Sequence, residues 1–209
     1  MSTFIAIPCM ENIPTVTVKS LLELDMDKGT RISFAMNSLV YDARNSLAAQ
    51  ALNGDYDRIM WIDSDMTFDS DLFRRLSARL DEGYEFVTGL YFTRRLPILP
   101  VIYKDVKCIM ENGKEKPTAD EYDGYPRDSL FEVRGCGFGG CMMTTALVKD
   151  VADKFGYPFS PILGFGEDLS FCQRVTQSGH KIYCDSSIRL GHKSSCIVQE
   201  SDYFGGKVL

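Results

Sequence analysis

The sequence predicts an α/β fold with a mostly parallel central sheet and helices on both of its faces. Within the first 90 residues, apolar strand-like runs alternate with helical patterns four times, which is the order of elements that builds a parallel sheet covered on both faces. The 209 residues, 44% of them hydrophobic, are enough for one compact domain and few for two. We therefore expect one domain, 1–209, with an α/β front half and a mixed back half.

Each strand of the front half is predicted from a short apolar run, and each helix from apolar residues at helical spacing. The predicted strands are Phe4–Ile7, Arg31–Met36, Arg58–Ile62 and Glu85–Leu90. The predicted helices are Thr15–Met26, with Val18, Leu21 and Leu22 as its apolar stripe, a helix capped by Ser38 that ends at Leu52, and Asp71–Leu80 capped by Ser70.

The back half has a different pattern. Residues 99–135 are predicted to form strands and turns, with Asn112-Gly113 as a two-residue hairpin turn. Two later helices are expected at Thr145–Lys154 and Asp168–Ser178, followed by a short strand at Lys181–Cys184.

Composition argues against several classes of function. The net charge is −6 with a pI near 5.0, which gives no support to a nucleic-acid or membrane-surface role and disfavours a nucleic-acid acceptor. No apolar run approaches the roughly 20 residues of a membrane span, and the N-terminus has no basic segment typical of a signal peptide. The seven cysteines contain no C-x-x-C pair, so we expect reduced thiols in a cytoplasmic protein.

Two carboxylates stand where the third predicted strand ends. Asp63 and Asp65 follow the apolar run Ile59–Ile62, and ligands of parallel α/β sheets bind beyond the carboxyl ends of the strands. Alternation along an extended chain would turn both carboxylates to one side, where hard oxygen ligands suit Mg²⁺ or Mn²⁺. An acidic turn without function has the same residues, so both interpretations stand at this point.

A second acidic pair and a histidine lie further along the chain. Glu167 and Asp168 follow Gly166 at the start of a predicted helix, where acids also serve simply to compensate the helix dipole. His192 is one of only two histidines. It follows the last predicted strand, which can return it to the edge where Asp65 lies.

The segments IPCMENIP, DARN, IMWIDSDM, RGCGFGG and GFGEDLSFCQRVTQSGHKIYCD, followed by GH, resemble the nucleotide-sugar glycosyltransferases of the GT-A fold, close to the family-two type. The likeness covers most of residues 3–192, and the GEDLSFCQRVTQSGHKIYCD segment is its most specific part. It implies a single-domain, Rossmann-like GT-A fold. About 1–90 would form a nucleotide-binding half, about 91–192 a sugar and acceptor half, and 193–209 a C-terminal tail.

The resemblance also implies roles for individual residues. Asp65 and His192 would bind a divalent metal, Mn²⁺ or Mg²⁺, with Asp63 at the metal or the ribose. Asp168, with Glu167 beside it, would act on the acceptor hydroxyl. The remaining implied residues would bind the donor, a UDP- or GDP-sugar as the first expectation: Pro8, Arg44, Asn45, Asp63, Gly139 and Gly140. For the glycines, a bulged strand is the alternative explanation.

Departures from the family pattern leave parts of the function open. The family commonly has an acidic residue after the second strand that holds the base, whereas this chain has Ala35-Met36-Asn37-Ser38 there, so the base is undetermined. The Q-x-x-R-W stretch of processive synthases is missing from the sequence. The likeness to the family-two type favours inversion, with a carboxylate as base, but retention stays open, as does the identity of the acceptor.

The stretch YFTRRLP, residues 91–97, places Arg94 and Arg95 directly after the fourth predicted strand. The two arginines fit a loop that meets a phosphate or a charged acceptor, but an ordinary solvated surface loop is the simpler explanation of the same residues.

Two other functions compete with glycosyl transfer. The pattern Asp63-x-Asp65-x-Thr67 also matches the nucleophile motif of haloacid-dehalogenase-type phosphatases, although two strand–helix units precede it and the later motifs of that class are missing. The second alternative is a sugar-nucleotide-binding module without catalysis, which the retained acids disfavour.

Overall fold

The computed structural model describes residues 1–162, 164–194 and 197–205. Its strands are β1 (Thr3–Cys9), β2 (Arg31–Met36), β3 (Arg58–Ile62), β4 (Met66–Thr67), β5 (Phe86–Leu90), β6 (Ile102–Glu111), β7 (Lys114–Glu121), β8 (Leu130–Val133), β9 (Gly135–Cys136), β10 (Gly140–Thr144), β11 (Ile182–Arg189), β12 (Gly191–Lys193) and β13 (Ile197–Val198). Its helices are α1 (Thr15–Glu23), α2 (Val40–Asn53), α3 (Leu72–Asp81), α4 (Thr145–Phe155), α5 (Glu167–Gln177) and α6 (Glu200–Gly205).

A seven-stranded sheet in the order β2-β1-β3-β10-β5-β11-β8 forms the centre of the fold. The strands β2, β1, β3, β5 and β11 run in one direction, while β10 and β8 run antiparallel to their neighbours. The predicted mostly parallel sheet is therefore confirmed. The sequence reading missed β10, which lies between β3 and β5.

Helices cover both faces of this sheet, as the alternation of strands and helices predicted. Strand residues alternate between the two faces because successive side chains of a strand point in opposite directions. One face packs against α1 and α3 through Ile5, Ile7, Met60, Ile62 and Val87. The other packs against α2, α4 and α5 through Phe4, Ala6, Ile59, Trp61 and Phe86. Burial on both faces explains why these strands read as continuous apolar runs.

Two small antiparallel sheets complete the back half. One contains β7, β6 and β9, and its hairpin turns at Asn112 and Gly113, which both have positive φ angles, 52° and 74°, as the sequence predicted. The other contains β13, β12 and β4. It pairs His192 with Met66 and so brings His192 to the edge that follows β3.

Three local predictions were wrong in detail. Helix α1 ends at Glu23, and Val18 and Leu22 are exposed, because the buried face is formed by the i, i+3, i+4 set Thr17, Ser20 and Leu21.

The second and third errors concern helix starts. Ser38 and Ser70 do not cap the following helices. Helix α2 begins after Leu39, since Asn37 adopts a positive φ of 55° and delays the helix. Helix α3 begins after Asp71, where the N–H of Leu72 bonds to the Asp69 carbonyl in a turn.

Strand β11 is longer than predicted, and the chain beyond it packs back on the fold. The ring of Tyr203 in α6 stacks on Phe92, with centroids 4.9 Å apart, and Glu200 accepts a hydrogen bond from Tyr125. Six cysteines are free thiols, while Cys196 lies outside the described residues. Across the described parts of the chain, every helix is too short or too polar to cross a membrane.

Candidate active site

A cavity of about 240 Å³ opens at the carboxyl edge of the central sheet, between the ends of β1 and β3 and the first turns of α2 and α5. It is lined by Pro8, Cys9, Met10, Ser38, Val40, Ala43, Arg44, Asp63, Ser64, Glu167 and Asp168. The structure thus brings together residues that are more than 100 positions apart in the sequence. This is the sheet edge at which the sequence predicted ligand binding.

Arg44, one of the residues that line this cavity, links Asp63 of the first acidic pair to Glu167 of the second. Its Nη2 donates to Asp63 Oδ1 at 2.7 Å, and its Nε donates to Glu167 Oε1 at 3.0 Å. Burial lowers the pKa of Arg44, but the two carboxylates outweigh it and hold the pKa above its ordinary value.

The guanidinium is also packed between the rings of Trp61 and Phe138, with centroids 5.5 and 5.1 Å away. Its side chain is 3% exposed. Arg44 therefore holds Asp63 and Glu167 in place, while its Nη1 has no hydrogen-bond partner among the described residues. The diphosphate-binding role that the resemblance implied for Arg44 stays a prediction.

Asp168 lies in the first turn of α5, beside Glu167 and facing the same cavity. Burial raises its pKa to about 6, and the neighbouring Glu167 carboxylate adds to the increase. Its Oδ1 accepts the backbone N–H of Leu169 at 2.7 Å. At pH 7 this carboxyl is therefore mostly ionised, so it is a group that can accept a proton near neutral pH.

The two aspartates after β3 have different partners. The N–H of Met66 bonds to the Asp63 carbonyl at 3.3 Å, so the chain turns here and the strand alternation used in the prediction does not apply. Asp63 pairs with Arg44, whereas Asp65 forms an ion pair with Arg94 and lies 3.5 Å from His192 Nε2. The carboxylates of Asp63 and Asp65 therefore point to different partners and do not act together as one pair.

Asp65 and His192 meet as the sequence proposed. The Lys193 N–H bonds to the Asp65 carbonyl at 2.8 Å, and His192 Nδ1 hydrogen-bonds to the Phe92 carbonyl at 2.8 Å. That second contact leaves Nε2 directed at the Asp65 carboxylate. Burial raises the pKa of Asp65, but His192 and then Arg94 outweigh it, so the pKa lies below its ordinary value.

One carboxylate and one imidazole form an N,O donor set that suits Mn²⁺ better than Mg²⁺, which prefers oxygen ligands, when waters or phosphate oxygens complete it. The orientation of His192 by a backbone carbonyl is the usual support of a metal-binding histidine. Within residues 1–162, 164–194 and 197–205, no group of three His, Cys, Asp or Glu side chains has metal-binding geometry. The described residues therefore supply two candidate ligands, Asp65 and His192, which fit a divalent metal only when other ligands complete its coordination.

The glycines at the start of β10 pack against neighbouring side chains of the protein. A Cβ on Gly140 would lie 2.3 Å from Leu190 Cδ2, and one on Gly139 would lie 2.8 Å from Met66 Cε. Both glycines are buried. These contacts alone require small residues, so the donor-binding role implied for Gly139 and Gly140 has no separate support in the packing.

Asn45 and Pro8 also differ in their placement. Pro8 lines the cavity at the end of β1, next to Cys9 and Met10, which is where the resemblance placed the base. Asn45 is instead turned to the loop after α4, where its Oδ1 accepts the N–H of Phe159 at 3.0 Å.

The sequence reading missed Tyr91, which follows β5 at the same sheet edge. Tyr91 is 5% exposed, its hydroxyl accepts the Gly139 N–H at 3.3 Å, and its ring packs edge-on against His192, with centroids 5.5 Å apart. The Gly139 carbonyl in turn accepts the N–H of Asp63. Tyr91 is therefore linked to Asp63 through Gly139 and to Asp65 through His192. Its place at the end of a parallel strand is the signal that could have identified it.

A second cavity, of about 420 Å³, lies beyond His192 and is lined by Tyr91, Thr93, Arg94, Arg95, Leu96, Pro97, Val101 and His192. It brings the two arginines of the 91–97 loop next to the Asp65–His192 pair. A bound molecule at that pair would therefore meet positive charge on one side.

No protein-family model matches the chain, and no curated protein matches its sequence. Solved structures do resemble its fold. The crystal structure of A197 from STIV has a TM-score of 0.66 at 21% identity, covering 93% of this chain and 86% of A197. The structure of GalNAc-T7 with UDP, GalNAc and Mn²⁺ has a TM-score of 0.61 at 10% identity over 91% of this chain. The chain spans 43% of GalNAc-T7, and the fold it shares with that glycosyltransferase is the GT-A fold.

Proposed function

We propose that the protein is a metal-dependent glycosyltransferase that moves a sugar from a nucleoside-diphosphate sugar to an acceptor hydroxyl with inversion. The observation that carries the proposal is the convergence of Asp168, Glu167 and Asp63 on one cavity, with Asp65 and His192 adjacent to it. A proton acceptor and candidate cation ligands at one sheet edge are what this transfer requires.

The donor is proposed to occupy the edge between the cavity and the Asp65–His192 pair, with its base toward Pro8 and Met10. The fold shared with GalNAc-T7, whose structure contains UDP and Mn²⁺, supports a UDP-sugar and Mn²⁺ as the first choices, with GDP-sugars and Mg²⁺ next. The cavity is lined from both residues 8–64 and residues 167–168. The nucleotide-binding and acceptor halves of the chain are thus proposed to share one site.

Asp65 and His192 would hold the divalent cation. When bound, such a cation stabilises the negative charge that develops on the departing diphosphate. Asp63 is proposed to contact the ribose through its other carboxylate oxygen, Oδ2, because its Oδ1 already accepts a hydrogen bond from Arg44.

Asp168 is proposed as the base. The acceptor oxygen forms a bond to the anomeric carbon while the bond from that carbon to the diphosphate oxygen breaks, and the hydroxyl proton goes to the Asp168 carboxylate. A pKa of about 6 keeps this carboxylate mostly ionised at neutral pH and basic enough to take the proton. Glu167 is held by Arg44 at 3.0 Å and is proposed to position the acceptor.

The test is a thermal-shift screen with UDP-, GDP-, dTDP- and CMP-sugars, each with Mn²⁺, Mg²⁺ or EDTA. A ligand at one hundred times its dissociation constant adds about 2.7 kcal/mol of stability, which raises the melting temperature of a domain of this size by about 5–10 °C. We expect one nucleotide to stabilise the protein only when a divalent cation is present. The Asp65→Ala variant should lose this effect.

A hit is then assayed for release of the nucleoside diphosphate. Binding without turnover in the presence of a panel of hydroxyl acceptors would favour the non-catalytic binding module. No response to any nucleotide would overturn the proposal. The phosphatase alternative has less support, because its nucleophile would be Asp63, whose carboxylate is already paired with a buried guanidinium.

A further inference from the structure

We propose that Arg94 exchanges partners during donor binding: it neutralises Asp65 in the free protein and moves to the diphosphate oxygens when a divalent cation takes its place. The inference rests on the proposed function, because it assumes a diphosphate donor and a cation at Asp65. It assigns a specific residue to the recognition of the donor's diphosphate group.

The contact that suggests the exchange is at a single oxygen atom. Arg94 Nη1 forms an ion pair with Asp65 Oδ2, and the same Oδ2 is the atom that lies 3.5 Å from His192 Nε2. A cation held by Asp65 and His192 would use the oxygen that the guanidinium occupies. The two therefore compete for one carboxylate.

The surroundings of Arg94 allow it to leave. Its side chain is 47% exposed. The base of the loop is fixed by two hydrogen bonds: the Thr93 N–H donates to the Leu99 carbonyl at 2.8 Å, and the Leu99 N–H donates to Thr93 Oγ1 at 3.0 Å. The long arginine side chain can thus move without unfolding the loop. Arg44 is the opposite case, since it is 3% exposed and bonded to two carboxylates.

Charge gives the direction of the exchange. A divalent cation on Asp65 repels a neighbouring guanidinium, and a diphosphate beside that cation attracts it, because a guanidinium fork pairs well with phosphate oxygens. The cavity of about 420 Å³ that Arg94 lines also contains His192, so the side chain has space beside the proposed metal position.

Arg95 provides a matched control. It is exposed, lies on the same loop and lines the same cavity, yet it has no ion-pair partner among the residues that the structure describes. Arg95→Gln removes the same charge at nearly the same place without releasing Asp65.

The experiment titrates Mn²⁺ alone into the wild type, Arg94→Gln and Arg95→Gln, with free Mn²⁺ followed by electron paramagnetic resonance. We expect Arg94→Gln to bind Mn²⁺ about fivefold more tightly, because no partly exposed ion pair has to be broken. Arg95→Gln should bind Mn²⁺ as the wild type does, and Asp65→Ala should lose the site.

The second measurement is the dissociation constant of UDP and GDP at saturating Mn²⁺, by calorimetry. Arg94→Gln should bind the nucleoside diphosphate that stabilises the wild type about tenfold more weakly, because a charge-assisted contact to phosphate is lost. Opposite effects on the two ligands within one variant are the signature of the exchange.

Unchanged or weaker Mn²⁺ binding by Arg94→Gln would overturn the inference, as would an equal gain in Arg95→Gln, since the effect would then be general loop charge. In either case a wild type that still binds Mn²⁺ and a nucleoside diphosphate would leave the proposed function intact. If neither the wild type nor any of the variants binds Mn²⁺ or a nucleotide, the proposed function and the inference both fail.

Discussion

Replacing Asp168 by asparagine should change how the stability of the protein depends on pH. The folded protein raises the pKa of this carboxyl from 3.8 to about 6, mainly through burial, so between those values the folded state binds a proton that the unfolded chain has released. A carboxyl of this kind stabilises the fold at low pH. Its contribution is lost as pH rises through the folded pKa.

The size of the effect follows from the two pKa values. A raised pKa of about 2 units corresponds to about 3 kcal/mol between the acid and alkaline limits. Between pH 5 and pH 7 the wild type should lose about 1 kcal/mol through this group, a loss that asparagine avoids. Asparagine keeps an oxygen that can accept the Leu169 N–H, which Asp168 Oδ1 now accepts, so the helix start is preserved.

The assay is urea denaturation of the wild type and Asp168→Asn at several pH values between 5 and 7.5, without metal or nucleotide. The unfolding free energy of the variant minus that of the wild type should increase by about 1 kcal/mol from pH 5 to pH 7. Asp123→Asn, at an exposed position after β7, removes the same charge and controls for net charge. A difference between Asp168→Asn and the wild type that stays constant with pH would refute the reasoning and weaken Asp168 as a base.

Three further substitutions test the supports of the site. Arg44→Met leaves two carboxylates without their 2.7 and 3.0 Å partner and should cost about 3 kcal/mol in urea denaturation; a cost below 1 kcal/mol would contradict a structural role. Asn45→Ala removes the bond to the loop after α4 and should cost about 1 kcal/mol while nucleotide affinity, measured by calorimetry, stays the same; a weaker affinity would restore its donor-binding role. Gly140→Ala places a Cβ 2.3 Å from a Leu190 methyl and should lower stability by about 1–3 kcal/mol; no change in the denaturation midpoint would show that Leu190 moves freely.

The part of the site that the sequence could predict depends on where strands end. Asp63 and Asp65 after β3 and His192 after β11 were placed at one edge because parallel strands share their carboxyl edge. Asp168 was found from the acidic first turn of α5. These inferences need only the order of the elements and no knowledge of side-chain packing.

The side-chain partners within the site could not be predicted, because they depend on contacts between distant segments. The partners of Asp65 include Arg94 from the loop after β5, and the partner of Asn45 lies after α4. Neither orientation follows from local spacing, because a helix or turn residue rotates with the exact start of its element. Likewise, the sequence left both a ligand-facing segment and a bulged strand open for Gly139 and Gly140, and only the structure shows that they pack against Met66 and Leu190.

The reversed strand β10 has a consequence for how the chain reaches its fold. Strand β5 has only two sheet neighbours, β10 and β11, and both follow it in the chain by a long interval. The first 90 residues therefore cannot assemble the sheet that their regular alternation suggests, and β3 keeps an open edge until Gly140–Thr144 is available. Pairings of such long range form slowly. During synthesis the unpaired edges of β3 and β5 are the segments most exposed to association with other chains, and the candidate site is completed only when the last third of the protein has emerged.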